Sequence, residues 1–98
     1  MSDAKLNILF TGRFDPTERE AWWQALRAAA PEHQWWREDD AYDPQRVDVA
    51  VVANPEPGAL AGLPRLRFIQ SLWAGVDKLL ADATLPAHVP IARMVDPA

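Results

Sequence analysis

The 98-residue chain has room for one small domain with a single hydrophobic core. Its net charge of −4, with no clustered basic stretch, argues against nucleic acid or an anionic membrane surface as a partner. The absence of cysteine excludes disulfide frameworks, zinc ribbons and thiol catalysis, and no apolar run approaches membrane-spanning length, so we expect a cytoplasmic protein.

The chain begins with a predicted strand followed by a helix. The apolar run at 6–10 is typical of a short buried strand that ends at Thr11. Asp15 has the position of a helix cap, because Pro16 then falls at the first helical position and Glu18 has the spacing of a capping box.

The predicted helix carries a stripe of four apolar residues at positions i, i+3, i+4 and i+7: Trp22, Ala25, Leu26 and Ala29. We expect this stripe to face the core, with Trp22 buried and Trp23 pointing elsewhere. Pro31 ends the helix. A second tryptophan pair at 35–36 is expected to place one ring outside the core as well, where it is a candidate interface anchor.

Four further segments are predicted as strands, at 34–36, 47–52, 66–72 and 91–95. The segment at 47–52 is the clearest, because its last four residues are all apolar, as in a central parallel strand covered on both faces. Short helical segments are predicted at 59–63 and 76–81, and residues 37–44 read as an irregular polar turn.

The alternation of strands and helical segments predicts right-handed βαβ units. The expected fold is therefore α/β: a flavodoxin-like, doubly wound, parallel five-stranded sheet with strand order 2-1-3-4-5. Only three residues follow the fifth predicted strand, which is too few for a helix that covers the sheet. We therefore expect a fold incomplete at its C-terminus, with the last face either exposed or covered by a partner chain or a continuation.

Ligands of such sheets bind beyond the carboxyl ends of the strands. Three segments follow strand ends here, at 11–13, 53–55 and 71–77. In the third, the amides of Ala74, Gly75 and Val76 would lie at or just before a helix N-terminus, which suits a carboxylate or phosphate. On spacing alone, a plain turn at Gly75 with Asp77 capping the helix is favoured over an anion site.

Other polar residues give weaker signals. The acidic stretch at 38–40 with Asp43 lacks the alternating oxygen ligands of a calcium loop, which favours a solvated acidic loop and no metal site. Acidic residues after the first strand and an aspartate after the third, as in response-regulator receivers, are absent. His33 and His88 are interpreted as solvated surface residues rather than general acids.

A resemblance to a known family lies in the second half of the chain. Residues 66–77 read Leu-Arg-Phe-Ile-Gln-Ser-Leu-Trp-Ala-Gly-Val-Asp, and Leu-Leu at 79–80 and a Leu-Pro-x-x-Val-Pro-Ile-x-Arg segment at 85–93 follow. This pattern resembles the N-terminal, substrate-binding domain of D-isomer-specific 2-hydroxyacid dehydrogenases, and most of all the glyoxylate/hydroxypyruvate reductase branch. The match is strongest over 64–97 and mainly topological before that.

The resemblance implies that the backbone amides of Ala74 and Gly75, with Val76 beside them, hold the carboxylate of a small 2-keto or 2-hydroxy acid. It also implies that Trp73 and the loop carrying Asn54 shape the pocket. Related reductases often have a bulky aromatic residue near the place of the alanine at 53, so the detailed substrate specificity is open. The parent enzyme would be a cytoplasmic homodimer that uses NAD(P)H and closes its nucleotide-binding domain over the substrate.

The catalytic residues of this family lie downstream of the matched region, and none of the four glycines here forms a G-x-G-x-x-G fingerprint. Residues 1–98 are therefore expected to be a partial substrate-binding domain that lacks the nucleotide-binding domain, has no catalytic, cofactor or metal site, and is inactive alone. The alternative hypothesis is a stand-alone flavodoxin-like binding or interaction module without catalysis.

Overall fold

The computed structural model describes residues 5–56, 58–72, 80–86 and 88–92. Its elements are β1 (Asn7–Gly12), α1 (Pro16–Ala29), β2 (Gln34–Arg37), a 3₁₀ turn (Pro44–Arg46), β3 (Val49–Ala53), β4 (Phe68–Ser71) and β5 (Ile91–Ala92). The five strands form one parallel sheet in the order β2-β1-β3-β4-β5. The predicted α/β class and strand order are therefore confirmed.

The strand order explains where a ligand site can form. From β1 the chain runs to β2 on one side and then to β3 on the other, so the sheet has its switch point between β1 and β3. In the register of these strands Ile8 pairs with Val49, and Gly12 pairs with Ala53 at the carboxyl ends. The loops that leave β1 and β3 therefore start side by side.

Both faces of the sheet are buried, because successive strand residues point to opposite sides. One core cluster contains Leu9, Val47, Ala50, Val52, Leu60, Leu63, Leu66, Ile69 and Val89. The other contains Ile8, Phe10, Trp23, Val51, Ala53 and Leu72. Burial on both faces is what requires the continuous apolar runs of β1 and β3.

Helix α1 begins as the sequence predicts. One carboxylate oxygen of Asp15 accepts hydrogen bonds from the amides of Thr17 (3.0 Å) and Glu18 (3.1 Å), and Pro16 stands at the first helical position. These contacts satisfy amides that have no partner within the helix, and so they fix its start.

The predicted buried stripe of α1 is wrong in part. Trp22 and Leu26 pack against the core but are only partly buried, and Ala25 and Ala29 are exposed. The buried tryptophan is Trp23, at 7% exposure. The ring of Trp23 packs on Phe10 with centroids 6.0 Å apart. This contact removes a large apolar surface of both rings from water, and it favours the orientation of α1 that turns Trp23 inward.

Two cations complete the surroundings of the Trp23 ring. The guanidinium carbons of Arg27 and Arg37 lie 5.2 and 4.7 Å from the ring centroid. Arg37 is the last residue of β2, one position beyond the predicted end of that strand. The extra strand residue places this charge beside the aromatic ring, where the cation is attracted to the π system.

His33 is not the solvated surface residue that the sequence indicates. Its side chain is 20% exposed, and its Nδ1 accepts a hydrogen bond from the backbone amide of Leu6 at 3.1 Å. The contact links the turn before β2 to the residue before β1. His33 is therefore a structural acceptor, whereas His88 is exposed as predicted.

Other boundaries differ in detail. The polar stretch before β3 contains the 3₁₀ turn, which Asp43 caps by accepting from the amide of Gln45 at 3.0 Å. The segment at 59–63 forms consecutive turns rather than one helical turn. Residues 76–79 and 93–95, in the predicted last helix and last strand, lie outside the described residues. Among the helices of the described ranges, none is long and apolar enough to cross a membrane.

Candidate functional site

The carboxyl ends of β1 and β3 meet at a close approach that only glycine permits. A Cβ atom added to Gly12 would lie 2.3 Å from the carbonyl oxygen and 2.9 Å from the nitrogen of Ala53. The next residue continues the contact, because the amide of Arg13 donates to the Ala53 carbonyl at 2.9 Å. The two loops of the switch point therefore leave the sheet from one tightly joined pair of backbones.

The loop after β3 presents Asn54 at this edge. Its φ angle of 49° lies in the left-handed region, where asparagine is among the few tolerated side chains. Asn54 is exposed, and its side-chain amide has no hydrogen bond to the residues that the structure describes. An exposed residue held in this sparsely populated backbone region at the end of a strand is typical of a ligand-binding position.

Ala53, in contrast, does not face the edge. It is 0% exposed and belongs to the core cluster under α1. Of the 53–55 loop, which the resemblance assigns to the pocket, it is thus Asn54 that offers a polar side chain to solvent, beside the partly buried Pro55. The size of the residue at 53 affects the packing behind the loop.

An ion pair joins the loops after β1 and β3. Arg13 Nε lies 3.4 Å from one carboxylate oxygen of Glu56, and a second guanidinium nitrogen lies 3.5 Å from the other. Both side chains are more than half exposed, so the pair contributes little to stability. Its effect is to place one positive and one negative group beside Asn54.

Strand β4 ends at the same edge. Ser71 is buried, and the amide of Leu72 donates to the Val52 carbonyl at 2.8 Å, so the chain leaves β4 beside β3. The predicted cradle residues Trp73, Ala74, Gly75 and Val76, together with Asp77, lie outside the described residues. Of the predicted binding residues, the structure thus describes Asn54, and the cradle stays a prediction.

The structure adds a residue that the sequence did not single out. Asp82 accepts a hydrogen bond from the amide of Gly58 at 2.9 Å through one oxygen. Its other oxygen accepts from the amide (2.9 Å) and hydroxyl (2.6 Å) of Thr84. The Thr84 hydroxyl, followed by the amides of Gly58 and Thr84, lowers the pKa of Asp82. The Asp-x-Thr spacing is a signal for the local turn but not for the contact with Gly58.

An open cleft of about 490 Å³ lies beyond the ends of β1 and β2, lined by Gly12, Arg13, Phe14, Pro16, Arg19, Glu38 and Asp39. Arg19 contacts Asp39 at 3.0 Å and Glu38 at 3.6 Å. Burial alone would lower the pKa of Arg19, but the hydrogen bond to Asp39 and the two negative charges raise it overall. The Arg19 hydrogen bond in turn lowers the pKa of Asp39.

The predicted acidic loop is thus paired with a cation rather than merely solvated. Across the described ranges, no group of three or more acidic or histidine side chains is placed to hold a metal ion. The cleft places the cations Arg13 and Arg19 beside the carboxylates of Glu38 and Asp39, so its described charged side chains balance. The edge at Asn54 adds an exposed side-chain amide that can donate to a small ligand.

Comparison with solved structures defines the class of protein that this fold resembles. The chain superposes on a D-isomer specific 2-hydroxyacid dehydrogenase from Xanthobacter autotrophicus Py2, in complex with NADPH and MES, with a TM-score of 0.76 and 34% identity. That match covers 96% of this chain and 30% of the dehydrogenase. No family model matches the chain.

The particular relatives are glyoxylate/hydroxypyruvate reductases. The chain is 34% identical over 99 residues to glyoxylate/hydroxypyruvate reductase A of Yersinia enterocolitica, a match that covers 93% of this chain. It also matches the NADPH-dependent glyoxylate/hydroxypyruvate reductase of Sinorhizobium meliloti, in complex with NADP and sulfate, with a TM-score of 0.73, 33% identity and 94% coverage. The chain spans about 30% of the length of the curated relative and 29% of the Sinorhizobium chain. The resemblance predicted from the sequence is confirmed.

Proposed function

We propose that this chain is the substrate-binding part of a D-2-hydroxyacid dehydrogenase that reduces a small 2-keto acid of the glyoxylate or hydroxypyruvate type. The observation that carries the proposal is the joint likeness in sequence and fold, at 34% identity and a TM-score of 0.76, to one dehydrogenase over 96% of this chain. The switch-point edge with its exposed Asn54 supplies a matching place for the ligand.

The carboxylate of the keto acid would be held by the backbone amides of Ala74 and Gly75, with Val76 and Trp73 beside them. One observation supports this placement: these residues directly follow the end of β4, which lies beside β3 at the edge that carries Asn54. The sequence also predicts a strand-to-helix turn here, and backbone amides at such a turn suit an anion, because they donate hydrogen bonds without the cost of ordering a long side chain.

Asn54 would contribute a side-chain donor to the same ligand. Asn54 is exposed, and its backbone already lies in the left-handed region, so binding would order little of the main chain. A hydrogen bond to a charged group contributes about 1.5–3 kcal/mol. An aspartate at the same position would tolerate the backbone but present a negative charge and no donor.

The residues of this chain do not fit a dinucleotide, because its four glycines stand apart from any G-x-G-x-x-G fingerprint. We therefore assign the NAD(P)H that would supply the hydride to a nucleotide-binding domain outside these 98 residues. The complexes of the related structures with NADPH and NADP support this assignment. The same proposal includes a cytoplasmic, homodimeric enzyme, as the resemblance implies.

A binding experiment on the 98-residue chain tests the role of the edge. Glyoxylate affinity would be measured by calorimetry or NMR for the native sequence, for Asn54→Asp, and for Gln45→Glu. The last variant adds the same charge in the exposed 3₁₀ turn before β3, which lies at the amino end of that strand and away from Asn54.

The proposal predicts at least about a tenfold loss of affinity for Asn54→Asp, since this variant loses a donor and adds repulsion. Gln45→Glu should bind like the native chain. Equal affinities for all three proteins, or no binding by the native chain at millimolar glyoxylate, would contradict the placement of the ligand.

A further inference from the structure

We propose that Asp82 is a positioning residue for the candidate site: its carboxylate holds the loop after β3, and with it Asn54, in place at the carboxyl edge. The inference rests on the proposed function, because that loop is the one assigned to the keto acid. Asp82 itself is not proposed to touch the ligand.

The contact joins two separate connections of the sheet. Asp82 lies between β4 and β5, and Gly58 lies between β3 and β4, 24 residues earlier. Both carboxylate oxygens are engaged, one by the Gly58 amide and the other by the amide and hydroxyl of Thr84. Because Thr84 fixes one oxygen at 2.6 and 2.9 Å, the other oxygen is held in the direction of Gly58.

The loop depends on this contact because it has few other means of fixing itself. Residues 55 and 57 are prolines, which have no amide hydrogen, so within 54–58 only Asn54, Glu56 and Gly58 can donate from the backbone. The first end of the loop is fixed by β3 at Ala53. At the other end, Gly58 has a φ of 84°, and its amide donates to Asp82.

Further contacts of this loop do not replace the one with Asp82. The Ala59 amide donates to the Glu56 carbonyl at 3.0 Å, which closes a turn within this connection but does not join it to the segment between β4 and β5. The Arg13–Glu56 pair is exposed on both sides, so it cannot replace a charge-assisted hydrogen bond to the backbone. The loop carries a strained residue, since Asn54 stays in the left-handed region only while its surroundings hold it there. Loss of the Asp82 contact should therefore let Asn54 move away from its binding geometry.

The chain offers a matched control for the test. Asp43 makes the same kind of local turn, since its carboxylate accepts from the amide of Gln45 at 3.0 Å, but it reaches no other loop among the described residues. Asp82→Ala removes the contact with Gly58, Asp82→Asn keeps one acceptor oxygen, and Asp43→Ala removes a turn cap at the opposite edge.

The experiment records two-dimensional NMR spectra of the four proteins, without ligand and during titration with glyoxylate. In Asp82→Ala, the backbone amides of Asn54, Glu56 and Gly58 should shift, and the dissociation constant for glyoxylate should rise about three- to tenfold. Asp82→Asn should restore part of both effects. Asp43→Ala should change neither the amides of the loop nor the dissociation constant.

Failure of the inference differs from failure of the proposed function. The role of Asp82 would be overturned, even if the native chain binds glyoxylate, by either of two results. Either the amide signals of Asn54 and Glu56 stay unshifted in Asp82→Ala, or this variant binds glyoxylate as tightly as Asp43→Ala does. If the native chain binds none, the proposed function fails, and with it the role of Asp82 at a ligand site. If Asp82→Ala does not fold, Asp82→Asn decides the same comparison.

Discussion

Replacement of Gly12 by alanine should disrupt the junction of β1 and β3. The added Cβ would meet the backbone of Ala53, at 2.3 Å from its oxygen, 2.9 Å from its nitrogen and 3.0 Å from its carbonyl carbon. These atoms belong to a paired strand, so they cannot turn aside as the end of a flexible side chain could. The strands would have to separate at the switch point, where they are normally about 4.8 Å apart.

The size of the effect follows from two contributions. Overpacking of a well-packed interior costs about 1–3 kcal/mol, and more where backbone must move. Separation of the strands also weakens the hydrogen bond from the Arg13 amide to the Ala53 carbonyl, now 2.9 Å long, which contributes about 1 kcal/mol. We therefore expect Gly12→Ala to lower the free energy of unfolding by about 3 kcal/mol or more, a large part of the stability of a small domain.

Urea unfolding followed by tryptophan fluorescence measures this loss. With a slope of about 1.5 kcal/mol per molar urea, the midpoint should fall by about 2 M. Gly62→Ala is the control, because Gly62 has open space around a built Cβ and only its φ of 76° opposes alanine, which costs about 1–2 kcal/mol. If Gly12→Ala were no less stable than Gly62→Ala, the close approach of β1 and β3 would be refuted.

Three further outcomes are expected. Trp23→Ala should lower the free energy of unfolding by about 3–5 kcal/mol and Trp22→Ala by clearly less. A larger loss for Trp22→Ala in urea unfolding would favour the stripe predicted from the sequence. His33→Leu should be about 1 kcal/mol less stable than His33→Asn, which can still accept from the Leu6 amide, and equal midpoints would show that this contact does not matter. Hydrogen bonds lower the pKa of Asp82 below its ordinary 3.8, so the stability that Asp82 contributes is complete above that pH and is lost as the pH falls through the lower pKa of the folded state. Asp82→Asn should therefore lose less stability than the native chain when both are acidified and followed by circular dichroism. Identical acid profiles for the two proteins would contradict the contact.

The sheet could be predicted from the sequence because its signals are local. Central parallel strands need apolar residues on both faces, and the run at 47–52 shows this directly. The start of α1 was also predictable, since Asp15 and Pro16 act within one turn of the helix. The alternation of strands and helical segments then indicated a flavodoxin-like, doubly wound sheet, whose usual strand order is 2-1-3-4-5.

The features that the sequence did not predict correctly depend on contacts between distant parts of the chain. Neighbouring helix positions differ by about 100°, so periodicity has to choose between Trp22 and Trp23, and the alanines at 25 and 29 complete a stripe with Trp22. Packing against Phe10 decides between them. The acceptor role of His33 depends on a residue 27 positions away, and that of Asp82 on one 24 positions away.

In the candidate site too, the position of a residue along the chain was predictable, whereas its backbone conformation and its long-range contacts were not. The sequence places Asn54 after the third strand, and the strand order then brings it to the switch point. Its left-handed backbone was not predictable, because asparagine adopts many turn conformations. The need for glycine at Gly12 likewise arises only when β1 and β3 pair in this register.

A two-dimensional NMR titration with glyoxylate, run in parallel with its uncharged methyl ester, shows whether the carboxyl edge of this sheet binds the carboxylate of a 2-keto acid, as we propose. We expect selective shifts at the amides of Ala74, Gly75 and Val76 and at the Asn54 side chain, with glyoxylate and not with the ester. Shifts that are equal for the two ligands, or that lie elsewhere on the chain, would contradict it.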